Sequence, residues 1–247
     1  MNHIRGDRGR GAPANVSSIL ITGANRGLGL ECARQYADAG WRVIACCRKP
    51  DAAAALHGIA RRWPGTVSIH TLDVIDHGSI ESLAHQLRDE PIDILLNNAG
   101  LYGPDEAIFG QTDYREWADI LAVNVLAPFK MTECFIENVV RSDRKILANL
   151  SSEMGSITLN ATRGGHYPYR SSKAALNAVV KSLANDLRGR GVIAVVMHPG
   201  WVRTDMGGPK GDLAPEESIR QVKNVLDGLQ PADTGKFLLY DGSELPW

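Results

Sequence analysis

Seven short apolar runs alternate with six segments of helical periodicity, and this alternation is what most limits the fold. The runs are Ser17–Thr22, Arg42–Cys47, Thr66–Leu72, Ile92–Leu96, Ile146–Leu150, Val192–Met197 and Lys236–Tyr240. Between them lie helix patterns over Gly27–Ala39, Ala52–Arg62, Ser79–Arg88, Asp113–Val140, Tyr169–Arg188 and Pro215–Leu229. Strands this short, separated by helices, build βαβ units with right-handed crossovers. Runs such as VIAVVM are apolar at successive positions, as strands covered on both faces must be. The expected fold is α/β: one doubly wound domain over 16–247, with a mostly parallel seven-stranded sheet and helices on both faces. Pro128 falls inside the longest helix pattern and should bend it. In such a sheet, ligands bind outside the carboxyl ends of the strands.

Composition narrows the function. The chain has 247 residues, 44% of them hydrophobic and 22% charged, which is enough apolar material for a core. Twenty-seven Lys and Arg against 28 Asp and Glu give a net charge of -1, so nucleic acid is not an expected partner. Cys32, Cys46, Cys47 and Cys134 form no C-x-x-C pair and no metal-ligand spacing; no metal is expected, and reduced thiols suit a cytoplasmic protein. No apolar run of about eighteen residues suggests a membrane span. Residues 1–15 are locally basic, with no secretory pattern, and read as a disordered arm.

The residues at the strand ends carry the chemistry. The first run ends Thr22-Gly23-Ala24-Asn25-Arg26-Gly27-Leu28-Gly29. Gly23 allows a tight turn, Gly27 lets backbone approach a pyrophosphate, and Gly29 lets helix pack on strand. The helix start then offers free N–H groups to phosphate. The second run ends in Arg48 and Lys49 where an acid would read a ribose 2′-hydroxyl. Arg48 with Arg26 suits a 2′-phosphate, so NADP(H) is favoured over NAD(H). The alternative is that both cations after the second strand are simply solvated. Asp73 with Val74 could face an adenine, or lie at a helix cap. Asn97-Asn98-Ala99-Gly100 ends the fourth strand as turn or ligand-contact material. Tyr169 and Lys173 are four apart and share a helical face.

Together these motifs resemble the short-chain dehydrogenase/reductase family. TGxxxGxG (Thr22 to Gly29), NNAG (Asn97 to Gly100), Asn124, the serine after the fifth strand, YxxxK (Tyr169, Lys173) and Pro199-Gly200 occur in the family's order. NLSSEMGSI, YRSSKAALN, HPGWVRTDMGG and YDGSELPW are similar to the branch of C-factor and sniffer-like carbonyl reductases.

The resemblance implies a Rossmann-type fold and an NADP(H)-dependent oxidoreductase acting on a small carbonyl or alcohol. It implies Tyr169 as general acid and base, Lys173 binding the nicotinamide ribose and lowering the phenol's pKa, and Ser152 holding the substrate oxygen. Asn124 would position a water and complete a relay to Lys173. Ser152 is preferred to Ser151 because it precedes Glu153-Met154-Gly155 as the family's serine precedes its x-x-Gly. The interval from Ser152 to Tyr169 is longer than usual. Leu28, Asn98, Ala99, Gly100, Pro199, Gly200, Val202 and Thr204 would contact the cofactor. Leu101, Tyr102, Met154, Trp201 and Met206 would line an apolar substrate pocket or simply pack. Gly207 to Ala214 is either a lid or an ordinary loop. The family commonly pairs through its two long middle helices, so a homodimer or homotetramer is expected. Trp247 would pack on a neighbour or fold back. The competing reading is an NADP(H)-binding sensor or a C-factor-like signalling protein; NAD-dependent oxidation would need the missing acid.

Overall fold

Apolar residues at successive strand positions sort into two layers, because neighbouring side chains on a strand point to opposite faces. A computed structural model describes residues 16–103, 107–161 and 164–247; the expected N-terminal arm lies outside them. The strands are β1 (Ser18–Thr22), β2 (Arg42–Cys47), β3 (Val67–Thr71), β4 (Ile94–Asn97), β5 (Ile146–Leu150), β6 (Ile193–His198) and β7 (Phe237–Leu239). The helices are α1 (Gly27–Asp38), α2 (Ala54–Arg62), α3 (His77–Gln86), α4 (Tyr114–Leu121), α5 (Ala127–Val140), α6 (Tyr167–Leu187) and α7 (Pro215–Gly228).

All seven strands pair in parallel, in the order β3-β2-β1-β4-β5-β6-β7. Ile19, Ile21, Val43, Ala45, Ala148 and Val195 face one core layer with Cys32, Tyr36, Leu56, Val222 and Leu226 of α1, α2 and α7. Leu20, Ile44, Leu95, Leu147 and Val196 face the other, with Ile80, Met131, Phe135, Leu176 and Val180 of α3, α5 and α6. Each buried Leu or Ile contributes about 1.5–3 kcal/mol, which is why both faces must be covered. The adjacent Cys46 and Cys47 split between the two layers, and all four thiols are free.

The strand order reverses between β1 and β4, the switch point at which a Rossmann-type sheet opens a crevice. The long middle helix runs as expected from α4 into α5 in unbroken helical backbone, but it contains a π turn, Ala122–Leu126, immediately before Pro128. A proline inside a regular helix costs about 3 kcal/mol, and the wider π turn is where this helix accommodates the missing amide hydrogen. Asp113 caps α4 by accepting from the amides of Arg115 (2.8 Å) and Glu116 (3.3 Å). The helix predicted from Tyr169 begins two residues earlier, with Pro168 in its first turn. Asp76, rather than Asp73, caps α3.

Candidate active site

The crevice is built first by its backbone. Gly23 has φ +67°, and Thr22 ties the two strand ends together: its hydroxyl oxygen accepts from the amides of Asn98 and Ala99, both at 3.0 Å. The Asn98 side-chain amide donates back to the carbonyls of Thr22 (2.7 Å) and Gly23 (3.1 Å). Asn98 is thus the clamp that shapes the glycine turn, a role that a cofactor contact in the sequence reading did not anticipate. A Cβ on Gly29 would strike that same Asn98 nitrogen at 2.5 Å and the Gly23 carbonyl oxygen closer still. Arg26, the residue before α1, places no side chain on the helix's first amides, and its first turn contains no acid. Those N–H groups are available to an anion. Asn25 and Gly27 lie exposed on the same turn.

The next group comes from β5 and α6. Lys173 is buried and donates to the Leu150 carbonyl at 2.9 Å. Its Nζ lies 5.6 Å from the Tyr169 ring centroid. A Cβ on Gly100 would sit 3.7 Å from that Nζ and 3.3 Å from Asn124 Oδ1, so the glycine of NNAG opens space beside both. Ser152 lies beside the Tyr169 phenol, where it acts to lower that group's pKa, and it accepts from the Met154 amide at 3.2 Å. Ser151 turns the other way and donates to Asn177 Oδ1 at 2.7 Å, a buried contact with α6. Adjacent strand-end residues point to opposite sides, and that alternation separates the two serines.

Lys173 is expected to bind the nicotinamide ribose and lower the Tyr169 phenol. In the chain itself burial pushes that phenol up, and Ser152 only partly opposes it. Burial also lowers the Lys173 ammonium from 10.5 to about 8, so that it gives up its own proton more readily. Asn124 is expected to position a water and complete a relay to Lys173. Its side chain is held in place: Oδ1 accepts from the Leu101 amide (2.8 Å), and Nδ2 donates to the Leu101 carbonyl (2.8 Å) and the Ser172 hydroxyl (2.9 Å). The residue sits in the π turn, and Pro128 has no amide hydrogen to give to the Asn124 carbonyl four residues back.

The family model for short chain dehydrogenases matches residues 17–213. The chain belongs to the short-chain dehydrogenase family. It is an oxidoreductase of the C-factor and carbonyl reductase type. It is 43% identical to the C-signal of Myxococcus xanthus over 157 residues, 64% of this chain and 93% of that protein. Carbonyl reductase Sniffer of D. melanogaster superposes with a TM-score of 0.87 at 32% identity, covering 94% of this chain and all of Sniffer (100%). The NADPH-bound carbonyl reductase from chicken fatty liver gives a TM-score of 0.87 at 30% identity, over 95% of this chain and 100% of that one.

The remaining residues expected at the site fall on the loops after β2, β3, β4 and β6. Arg48 is exposed where β2 ends. Arg26 turns to Asp205, 3.0 Å away in the loop after β6, with the two side chains 64% and 80% exposed. Asp73 is half-buried and accepts from the Ile75 amide at 3.3 Å, beside the half-buried Val74. Pro199 is held to α7 by the Ser218 hydroxyl (2.6 Å), and Gly200 is wedged against Leu213 and Tyr240. Val202 is buried, and Thr204 lies near Gly27 across the crevice. The stretch Gly207–Ala214 is stitched down rather than open. Arg203 donates to the carbonyls of Gly211 (2.8 Å) and Asp212 (3.0 Å), and Trp201 Nε1 donates to that of Gly207 (2.7 Å).

Of the expected pocket residues, Tyr102 packs its ring 4.6 Å from that of Tyr169. Leu101, Trp201 and Met206 are exposed, and Met154 is half-buried. His166, which sequence reading did not assign a role, has φ 50° at the start of α6 and lies 3.4 Å from the Tyr102 hydroxyl. Thr22, Ser172 and Asn177 were missed as well; each acts through a residue distant in sequence. Among the described residues no grouping of His, Cys, Asp and Glu could hold a metal, and no helix is long and apolar enough to cross a membrane.

His198 ends β6 behind Lys173. Burial, aided by the Lys173 charge, lowers its pKa from 6.5 to about 4. Glu153 Oε2 at 3.9 Å is 57% exposed and does not offset this. The unfolded chain binds that proton below about pH 6.5, whereas the folded chain refuses it until about 4. Stability therefore falls as pH drops through this window, by up to about 3 kcal/mol from this group. Urea titrations at pH 7, 5.5 and 4 should show a flatter acid slope for His198→Asn than for the natural chain. Equal slopes would rule His198 out as the cause.

Proposed function

We propose that the chain is an NADP(H)-dependent carbonyl reductase in which Tyr169 gives the proton. The observation that carries this reading is the grouping at the crevice of the glycine turn, where Lys173 donates to the Leu150 carbonyl just before Ser152 and its Nζ lies 5.6 Å from the Tyr169 ring. The pushed-up phenol stays protonated near neutral pH, as an acid for carbonyl reduction must. As the alcohol forms, the Tyr169 O–H bond breaks and a new O–H bond forms on the substrate oxygen. Ser152 donates to the same oxygen, stabilising charge that grows in the transition state. The phenolate left behind is stabilised by the Lys173 ammonium, and its proton returns from solvent past Lys173 and the Asn124 carbonyl. Bound NADPH would supply the hydride.

The fit of the cofactor rests on the crevice. The bare glycine positions, the uncapped start of α1 and the space beside Gly100 leave room for a dinucleotide with its phosphates on amides. Pro199, Gly200, Val202 and Thr204 would contact its nicotinamide end, and Asp73 with Val74 its adenine. Arg48 would receive the 2′-phosphate. The exposed Arg26–Asp205 pair is worth at most about 1 kcal/mol, so Arg26 can be drawn to a phosphate as well. The NADPH held by the chicken reductase is in keeping with this. Two copies would pair through α4–α5 and α6, where Tyr114, Leu126 and Phe129 are exposed.

Purified protein should oxidise NADPH with aldehydes, ketones or quinones, and do so faster than NADH. Arg48→Ala should raise the KM for NADPH about tenfold and leave that for NADH unchanged. Equal loss with both cofactors would remove Arg48 from the 2′ site. The likeness to C-signal favours a second reading, a signalling protein that binds NADP(H) without turnover. Tight NADPH binding with no oxidation across the panel would select it.

A further inference from the structure

Resting on the reductase reading, we infer that Trp247 is a positioning residue for a substrate wall formed by Ser156 to Leu159, just after Ser152. One face of α6 carries the argument. Lys173, Asn177 and Lys181 are spaced by four and so stack one turn above another. Lys173 reaches the Leu150 carbonyl. Asn177 accepts from Ser151 and donates to the Gly155 carbonyl at 3.3 Å. Lys181 donates to the Gly235 carbonyl at 2.8 Å and lies 5.2 Å from the Trp247 ring. The catalytic helix thus grips the Ser152 strand end at two levels and the end of the chain at the third.

Trp247 then closes the loop back to the site. Its ring packs 5.6 Å from Phe237. Its main-chain oxygen accepts from the Thr158 amide (3.1 Å) and the Ser156 hydroxyl (3.2 Å). Ser156 is buried and also accepts from the Leu159 amide at 3.1 Å. Just before it, Gly155 presses on the Lys173 backbone, where a Cβ would come within 2.8 Å. The wall held this way exposes two apolar side chains, Ile157 at 79% and Leu159 at 48%. Exposed apolar groups on a tethered segment next to Ser152 suit a carbonyl substrate with an apolar body, and the tether sets their distance from the reacting oxygen. Trp247 touches neither the substrate nor Tyr169; it acts through Ser156 and Thr158.

The test compares Trp247→Ala and Trp247→Phe with the natural chain. Amide exchange should quicken about tenfold at Thr158 in Trp247→Ala, with β1, β4 and β5 unchanged. The KM for a bulky apolar ketone should rise about fivefold, with smaller change for a two- or three-carbon aldehyde, and NADPH binding should not move. Trp247→Phe keeps a ring for Phe237 and Lys181 and should restore both properties. Unchanged Thr158 exchange in Trp247→Ala would overturn the tether. A fall in kcat shared equally by all substrates, or failure of Phe to rescue, would overturn the positioning role. Absence of turnover in the natural chain would count against the reductase reading instead, and the exchange measurement would still decide the tether.

Discussion

Tyr169→Phe is expected to cut carbonyl reduction about a thousandfold while NADPH binding stays within about twofold. The substitution removes one oxygen from a buried ring and little else. The ring's packing on Tyr102, at 4.6 Å, does not need the hydroxyl. Lys173 keeps its bond to the Leu150 carbonyl, and Ser152 keeps the Met154 amide. What disappears is the proton and one of two donors to the developing alkoxide. Steady-state NADPH oxidation and a fluorescence titration of NADPH separate the two effects. A rate close to that of the natural chain would remove Tyr169 from the acid's role. A parallel loss of NADPH binding would mean that the phenol serves the cofactor rather than the substrate.

Gly29→Ala should be the most damaging single methyl group in the crevice. The added carbon meets the Asn98 side-chain nitrogen and the Gly23 carbonyl oxygen, which are bonded to each other at 3.1 Å. Neither can move without opening the clamp between β1 and β4. Overpacking and a broken buried hydrogen bond together should cost about 3 kcal/mol, read as a lower urea midpoint. NADPH binding should weaken at least about tenfold, because the same clamp shapes the turn that offers its amides. Gly27→Ala is the useful contrast. Its φ of +53° strains a side chain, but the nearest atom to its Cβ is 3.8 Å away. That variant should lose only about 1–2 kcal/mol. If the two variants prove equally stable, the contact argument at Gly29 is wrong.

The strands and helices were readable because burial imposes a period, and a period survives in a one-dimensional string. Ile19, Leu20 and Ile21 are all apolar since the sheet is covered twice, and the parallel order follows from the intervening helices. Pro128 announced a disturbance of the long helix, but not its form. The π turn around Asn124 depends on packing between α4, α5 and the β4 loop, which leaves no mark of its own in the string. Likewise, the glycine turn and the spacing of Tyr169 and Lys173 are local features, whereas the partners of Asn98 and Asn124 are 75 and 23 residues away.

The sequence by itself determined the layered α/β fold, the family, and which residue types stand at the strand ends, because periodicity and short motifs record local constraints. Only the tertiary structure decided where those side chains point. It turned Ser151 into α6 and left Ser152 on Tyr169, set Arg26 on Asp205, spent the Asn124 amide on Leu101, and folded Trp247 back onto the wall before Tyr169. The physical reason is common to all of these. Directions and partners are fixed by close packing and by the need to satisfy buried polar groups among residues far apart in the chain.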